Sequence, residues 1–578
     1  MSAWIGIDLG TQSVRAMVVD AGGRVLGAAV RPLTSRRDGV RHEQDPEEWW
    51  QALAAATREA LRDVPAGRIE GVAVDATSGT ILLTAPDGTP LTPALMYDDR
   101  RAAGFVDRVN EVGAPVWERL GYRRMQANWA LPKLLWLLGD APAGARLAHQ
   151  SDFVNRRLAG REVATDLGNA LKTGVDLIDE RWPSDVLSAL GVPAGVLPAV
   201  VRPGTRVGEV CAEAARATGI PRGTPVIAGT TDGCAAQLGA GALTPGSWNS
   251  VLGTTLVLKG VTREPVRDPL GVVYSHRAPD GSWLPGGASS TGAGVLSRDL
   301  PGRDLDALSL EAATRYAPAT STGLTHGRSG SSGATYGRVD SPGGTYGRRD
   351  SAAVDGAYGR RDSAAVDGAY GRRSSSDVDS PYGRGTTVGA YPAGRGGGGG
   401  PLDPAGLPIT YPLVSRGERF PFAAPDAEGF TLGDPADDVE RYVAILLGAA
   451  FVERLCFDYL DLLGAPVDGE IILTGGATRS AYWTQLRADV LGRPVTLREN
   501  AEPALGMAVL AAGATGTSGT AGTTGAADAA ARMIRTREVV QPSGADLRDP
   551  YLRFVTALEE RGWLPTPAAA HARQRSER

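Results

Sequence analysis

The sequence predicts a mixed α/β protein built from two related blocks that face each other across a cleft, and three observations carry that expectation. Each block opens with a pair of short apolar stretches joined by a tight Gly-Thr turn, Trp4 to Asp20 in the first and Trp248 to Gly260 in the second. Each then continues with strand-like runs interleaved with helical periodicity, the order of a sheet covered by helices. Within the second block lies a segment, 326–404, whose composition suits neither element.

In chain order, Trp4 to Leu9, Val14 to Asp20 and Val25 to Val30 are short strands separated by turn residues, an antiparallel meander. Asp45, Pro46 and Glu48 then mark a helix start with capping-box spacing, after which Trp50, Leu53, Thr57 and Leu61 share one face. Strands are expected at Gly71 to Asp75, Ile81 to Thr84, Leu91 to Met96 and Pro225 to Ala228. In the second block Glu470 to Gly492 reads as a strand, a glycine turn and a helix closed by Gly492. Residues 513–525 are expected to be a surface loop and residues 565–578 a disordered tail. Residues 326–404 carry tyrosines at 346, 358, 370 and 382, twelve apart in a degenerate Tyr-Gly-Arg repeat, with almost no Leu, Ile or Phe. Such a stretch buries too little apolar surface to offset its ordering entropy, so disorder is expected. The implied domains are 1–242, then 243–325 joined across the insert 326–404 to 405–564, and the tail 565–578.

Composition excludes several classes. With 578 residues, 22% charged, and a net charge of −5, there is no overall attraction to nucleic acid or to an anionic membrane. Three cysteines and five histidines without ligand spacing make neither a disulfide framework nor a zinc site. No G-x-x-x-x-G-K-[ST] occurs, which removes the P-loop class. The N-terminus lacks a basic, apolar leader, and the longest apolar run, Val443 to Val452, is too short to span a bilayer, so a soluble cytoplasmic protein is expected. The basic residues are nearly all Arg, with Lys only at 133, 172 and 259, a bias we read as mainly a matter of coding composition.

Four stretches have residues suited to chemistry. In Asp8-Leu9-Gly10-Thr11-Gln12-Ser13, glycine allows close backbone approach to an anion, the polar side chains add donors, and Asp8 offers a hard oxygen for Mg²⁺. The plain alternative is a polar hairpin turn. Gly253-Thr254-Thr255 supplies a second such turn, which favours a phosphate cradle. Asp232, in Gly229-Thr230-Thr231-Asp232-Gly233, ends a strand beside glycine and suits either a general base or a helix cap. Tyr97-Asp98-Asp99-Arg100-Arg101 suits a polyhydroxylated ligand or a solvated charge cluster.

Together these stretches resemble the FGGY family of carbohydrate kinases, within the actin/Hsp70/hexokinase-like superfamily. WIGIDLGTQSVRAMVVD looks like the family's first phosphate motif and SVLGTTLVLKG like its second. IILTGGATRSAYWTQLRADVLGRPV followed by AEPALGMAVLAA looks like its adenosine motif, and ALPKLLWL and YPLVSRGERFPF are similar to two further signatures. The resemblance implies two actin/hexokinase-like (ribonuclease H-like) domains with a cleft between them. It also implies ATP-dependent phosphorylation of a sugar hydroxyl with Mg²⁺. On that analogy Asp232 is the catalytic base and Asp8 holds the metal. Gly10, Thr11, Gln12, Ser13, Gly253, Thr254 and Thr255 would bind phosphates, and Gly475, Gly476 and Ala477 the adenosine. Ser78, Asp99 and Arg101, with Asp232, would line the sugar pocket.

Asp75-Ala76-Thr77-Ser78-Gly79-Thr80 stands where xylulokinases usually carry Met-His-Gly, and with ALMYDDRRA it looks more like the D-ribulose kinase branch. The expected partner is therefore a small ketopentose, with a homodimer left open and neither nucleic acid nor membrane involved. The alternatives are a kinase for L-ribulose, glycerol or another polyol, or a sugar-sensing pseudokinase that uses the insert to recruit a partner. A chaperone ATPase is disfavoured, because no peptide-binding domain follows the second block.

Overall fold

The computed structural model describes residues 2–316, 406–516 and 525–577. The insert expected to be disordered, 326–404, and most of the loop expected at 513–525 lie outside the described residues.

One six-stranded sheet organises the first block. Its order is Arg206–Glu209, Pro225–Ile227, Ile69–Ala76, Ala3–Leu9, Ser13–Asp20 and Val25–Pro32. The meander read from the sequence forms its antiparallel side, while Ile69–Ala76 pairs parallel with Ala3–Leu9 on one flank and with Pro225–Ile227 on the other. In the second block a seven-stranded sheet runs Tyr274–Arg277, Trp283–Ala288, Leu256–Gly260, Trp248–Leu252, Ile471–Thr474, Val495–Arg498 and Thr536–Val540. Beyond the extra Tyr274–Arg277 hairpin strand, its pairings repeat the first sheet's order: two antiparallel, two parallel, one antiparallel. The fold is thus one sheet plan used twice. Sheet pairing also joins Trp248–Leu252 to Ile471–Thr474, on opposite sides of the insert.

The central strand explains how the blocks meet. Ile5, Ile7 and Leu9 belong to a core shared with Trp49 and Leu53, whereas Trp4 packs with Ala504 to Ala512. Alternate residues of one strand therefore serve two layers, as the strand period requires. Gly6 lies on the second face, and a Cβ there would fall 1.7 Å from the Ala504 carbonyl oxygen, so only glycine lets the Pro503–Thr515 helix lie this close. That helix is apolar on all sides and buried from Ala504 to Ala512. A third, five-stranded sheet, Arg36–Asp38, Arg41–Gln44, Ala94–Leu95, Ile81–Thr84 and Arg146–His149, caps the first block.

Several local expectations need correction. The residues read as a disordered tail form a helix, Thr566–Ser576, because Ala568, Ala569 and Ala572 make one buried face and His571 Nε2 meets Asp461 Oδ2 at 2.8 Å. At Pro46–Ala60, Asp45 does cap the helix, but Glu48 turns to Thr34 and leaves the capping box open, and Trp49 takes the fully buried place given to Trp50. The strand expected over 91–96 shrinks to Ala94–Leu95. Both ends of the 513–525 loop are helical, within Pro503–Thr515 and Gly525–Met533. Among the described residues no helix is long and apolar enough to cross a membrane.

Candidate active site

Three carboxylates gather where the central strands of the first sheet end. Parallel register places Asp8 opposite Asp75, and a parallel bridge between Ala76 and Thr231 brings the next residue, Asp232, to the same edge. Thr231 caps the following helix, Asp232–Ala240, so Asp232 is its first residue and not its cap. Its Oδ1 accepts the Gly233 N–H at 2.7 Å. Burial acts on all three groups, and like charge on Asp8 and Asp75. Burial, then Asp232, pushes Asp8 up to about 6 against the pull of Arg15. Burial, then Asp8 and Asp232, drives Asp75 well above the carboxylate range, and neither Asp75 oxygen meets a hydrogen-bond donor. Burial and the two neighbouring carboxylates thus disfavour the ionised form of Asp75. Burial raises Asp232 as well, while the Gly233 N–H, Lys172 and Lys259 draw it back.

The turns that carry the phosphate expectation occupy equivalent places in the two sheets. Gly10 N–H bonds Ser13 O at 3.1 Å and Gly253 N–H bonds Thr255 O at 3.1 Å. Thr11 is held through its carbonyl by Gln44 Nε2 at 2.6 Å, and the Gln12 and Thr254 side chains are exposed. A Cβ on Gly475, whose φ is +87°, would strike the carbonyl oxygen of Leu252, the residue just before Gly253, at 2.6 Å. The glycine turn after Ile471–Thr474 thus abuts the second Gly-Thr turn, and Gly476 faces open space. Ala477 is different: its side chain is buried in the core and offers no surface to a ligand. Arg15 Nη1 meets Glu502 Oε2 at 2.5 Å, which ties the first hairpin to the start of the Pro503–Thr515 helix.

On the acceptor side the sequence reading is corrected. Asp99 is completely buried, and its oxygens take the His42 and Arg101 N–H groups and the Arg101 guanidinium. Arg101 also pairs with Glu43 at 2.6 Å and lies 5.1 Å over the Trp136 ring. These two residues brace the cap sheet and are not brought to the cleft. Their neighbour Tyr97 is, being part-exposed and within the fields of Asp232 and Arg419. Ser78 stays near the site, its hydroxyl buried without a partner.

Sequence reasoning gave no role to Asp75, Lys172, Lys259, Tyr274 or Arg419. Lys172 Nζ bonds Ser78 O at 3.0 Å, and burial brings it down to about 8. Lys259 lies four residues after the second phosphate turn. Its ammonium donates to His276 Nδ1 at 2.7 Å and sits 5.4 Å over the Tyr274 ring. Burial and Lys259 hold His276 far below its usual range, so it is a neutral acceptor. Arg419 reaches Ser290 Oγ and Ser289 O because Glu418 beside it is locked to Ser289, Ser290 and Tyr411. The available signal was the scarcity of lysine.

A sheet plan used twice, with paired Gly-Thr turns and a carboxylate at a helix start, defines a two-domain actin/hexokinase-like class of fold. Residues 3–239 match the N-terminal domain of the FGGY family of carbohydrate kinases and residues 401–515 its C-terminal domain. The chain belongs to that family. It is 35% identical over 296 residues to a xylulose kinase of Streptomyces coelicolor, a stretch covering 49% of this chain and 59% of that one. A xylulose kinase of Escherichia coli is 26% identical over 525 residues, 88% of this chain and 89% of the relative. The aligned region spans under two thirds of the length of the Streptomyces relatives. Among solved structures, a xylulose kinase from Rhodospirillum rubrum superposes with a TM-score of 0.71 at 22% identity, covering 96% of this chain and 98% of that one. A ligand-bound xylulose kinase from Lactobacillus acidophilus gives 0.73 at 18% identity, covering 97% and 99%. At such identities the likeness speaks for the fold.

Proposed function

We propose that the protein transfers the γ-phosphoryl group of ATP to a hydroxyl of a small sugar, with a ketopentose such as D-ribulose or D-xylulose as acceptor. The observation that carries this reading is Asp232, placed at a helix start beside Asp8 on the strand edge that also bears the Gly10–Ser13 turn. Phosphoryl transfer needs positioning and charge neutralisation more than covalent help from the protein. Here the Gly10–Ser13 and Gly253–Thr255 turns offer backbone and hydroxyl donors to phosphate oxygens. The turn at Gly475 and Gly476 supports the adenosine. Asp232 takes the proton of the attacking hydroxyl late, when the oxygen has bonded to phosphorus and the bond to ADP has opened. Several relatives are xylulose kinases, and the Asp75–Thr80 sequence favours D-ribulose within the same substrate class.

Mg²⁺ fits this edge. Crowded carboxylates that raise one another's pKa, with two Asp75 oxygens unpartnered, are the environment a hard divalent cation relieves. Among the described residues no group of three ligating side chains is close enough to cage a metal, which suits an ion that keeps most of its water. Asp8 would hold it, directly or through water. The ion supplies neutralisation of phosphate charge. A cytoplasmic enzyme acting without membrane or nucleic acid completes the proposal.

A coupled ATPase assay against D-ribulose, D-xylulose, L-ribulose and glycerol tests the reading. Turnover with a ketopentose is expected; ATP binding without phosphorylation of any of them would overturn it. Asp232→Ala is expected to lower kcat by about 10³-fold or more with little change in the KM for ATP, since it removes the proton acceptor and not the nucleotide site.

A further inference from the structure

We propose that Lys172 is an acceptor-binding residue of this site, holding the sugar against Asp232 through its ammonium while Lys259 acts on the same carboxylate. The inference rests on the kinase reading and goes beyond it by naming which cations the acceptor meets.

Composition makes the first argument. Of 60 basic residues only three are lysine, and all three are buried: Lys133 with 0% exposure, Lys172 with 9% and Lys259 with 6%. Whatever the coding bias, all three lysines are inside the fold, where a compact ammonium on a flexible stem is not interchangeable with a guanidinium. Lys133 and Lys172 grip the same turn. Lys133 Nζ donates to Gly79 O at 2.6 Å and Met96 O at 2.8 Å, and Lys172 Nζ donates to Ser78 O at 3.0 Å. Lys133 thereby uses two of its three donors on the backbone, whereas Lys172 uses one.

Lys172 and Lys259 have no ion-pair partner within reach among the described residues. A buried ammonium without a hydrogen-bonded counter-charge is costly unless a ligand completes it. What faces Lys172 is Asp232 from the Asp232–Ala240 helix, Lys259 from the adjoining sheet, Arg419 from the loop after Glu418, Lys133 from its own helix and neutral His276. Asp232 is the only acid in that set. The buried, unpartnered Ser78 hydroxyl and His276 Nε2 lie in the same neighbourhood and are polar atoms without protein partners. Oxygens of a polyol, alternately donors and acceptors, suit such a mixture of spare ammonium donors, a hydroxyl and a carboxylate. The charge balance sets the pH window: Lys172 is protonated below about 8, where it donates to the acceptor and its charge favours the ionised form of Asp232.

The test uses the full chain with D-ribulose and D-xylulose. Lys172→Met is expected to raise the acceptor's KM, and its dissociation constant measured by calorimetry without nucleotide, by about ten-fold or more, leaving the KM for ATP within two-fold. Wild-type kcat/KM for the acceptor should fall as pH rises through about 8, and Lys172→Arg should move that limb beyond the measurable range. An unchanged acceptor affinity in Lys172→Met, or an equal loss toward ATP, overturns the proposal. If Lys172→Met fails to fold, an unmoved basic limb in Lys172→Arg overturns it instead. A wild-type chain that binds and phosphorylates neither ketose sinks the kinase reading, and this proposal with it. A ketose kinase indifferent to Lys172 sinks this proposal alone.

Discussion

Asp232 and Asp99 show how one residue type takes opposite fates. Asp232 ends a parallel strand edge and stays half-buried, with one N–H donor on its own turn. Asp99 is fully buried and saturated by Arg101 and the His42 backbone. Asp99→Ala would remove the buried carboxylate of the Arg101 guanidinium, which is 7% exposed, and leave it paired with the part-exposed Glu43. Removing one partner of a buried pair costs about 3–5 kcal/mol. The expected outcome is a clearly lower melting temperature with the acceptor KM unchanged; a large KM rise in a folded variant would return Asp99 to the sugar pocket. Asp232 gives the complementary pH signature. The general base proposed above must be ionised, and burial raises the Asp232 carboxyl from its ordinary value. Activity should therefore climb with pH along an acid limb shifted upward from an ordinary aspartate, and a limb at or below the ordinary position would argue against burial controlling the base. From the sequence, Tyr97 and Asp99 were two positions apart in one polar run. Which of them reaches the cleft depends on how His42 and Arg101 wrap the strand end, and no local pattern encodes that.

At the scale of elements, the Asp232–Ala240 and Pro503–Thr515 helices cross at glycine. A Cβ on Gly506 would lie 2.0 Å from the Ala235 carbonyl oxygen, and one on Gly239 2.3 Å from that of Glu502. The helix carrying Asp232 is thus seated directly on the one whose start is tied to Arg15. Gly506→Ala should push them apart, and overpacking of this kind costs about 1–3 kcal/mol. Because Asp232 is on one of the pair, kcat should fall along with stability; lost stability with kcat intact would mean the crossing is structural only. The strands of both sheets were legible because apolar alternation broken by Gly-Thr turns is a local signal. The helix at Thr566–Ser576 was not, because a run of alanine, arginine and glutamine looks solvated until its alanine face finds the Asp438–Leu462 helix. The lysines were visible in the sequence, but their meaning came only from burial, which residue counts do not contain.

For the molecule as a whole, the repeated sheet plan explains why a long insertion is tolerated where it stands. The second sheet closes by pairing Trp248–Leu252 with Ile471–Thr474, so the strands that build the site are complete without any contribution from 326–400. That stretch contains no Leu, Ile or Phe, and a segment so poor in apolar side chains has little to add to a core. The residues at the strand edges, Asp8, Asp232, Gly253 and Gly475, are all set by register within the two sheets. Deleting residues 326–400 should therefore leave kcat, both KM values and the melting temperature close to those of the full chain. The check is the coupled assay run side by side on the two proteins. A collapse of activity in a folded deletion variant would mean that the Tyr-Gly-Arg repeats take part in the catalytic cycle. Retained activity would separate the two halves of the question, with the chemistry residing in the duplicated sheets and any recruitment of partners residing in the insert.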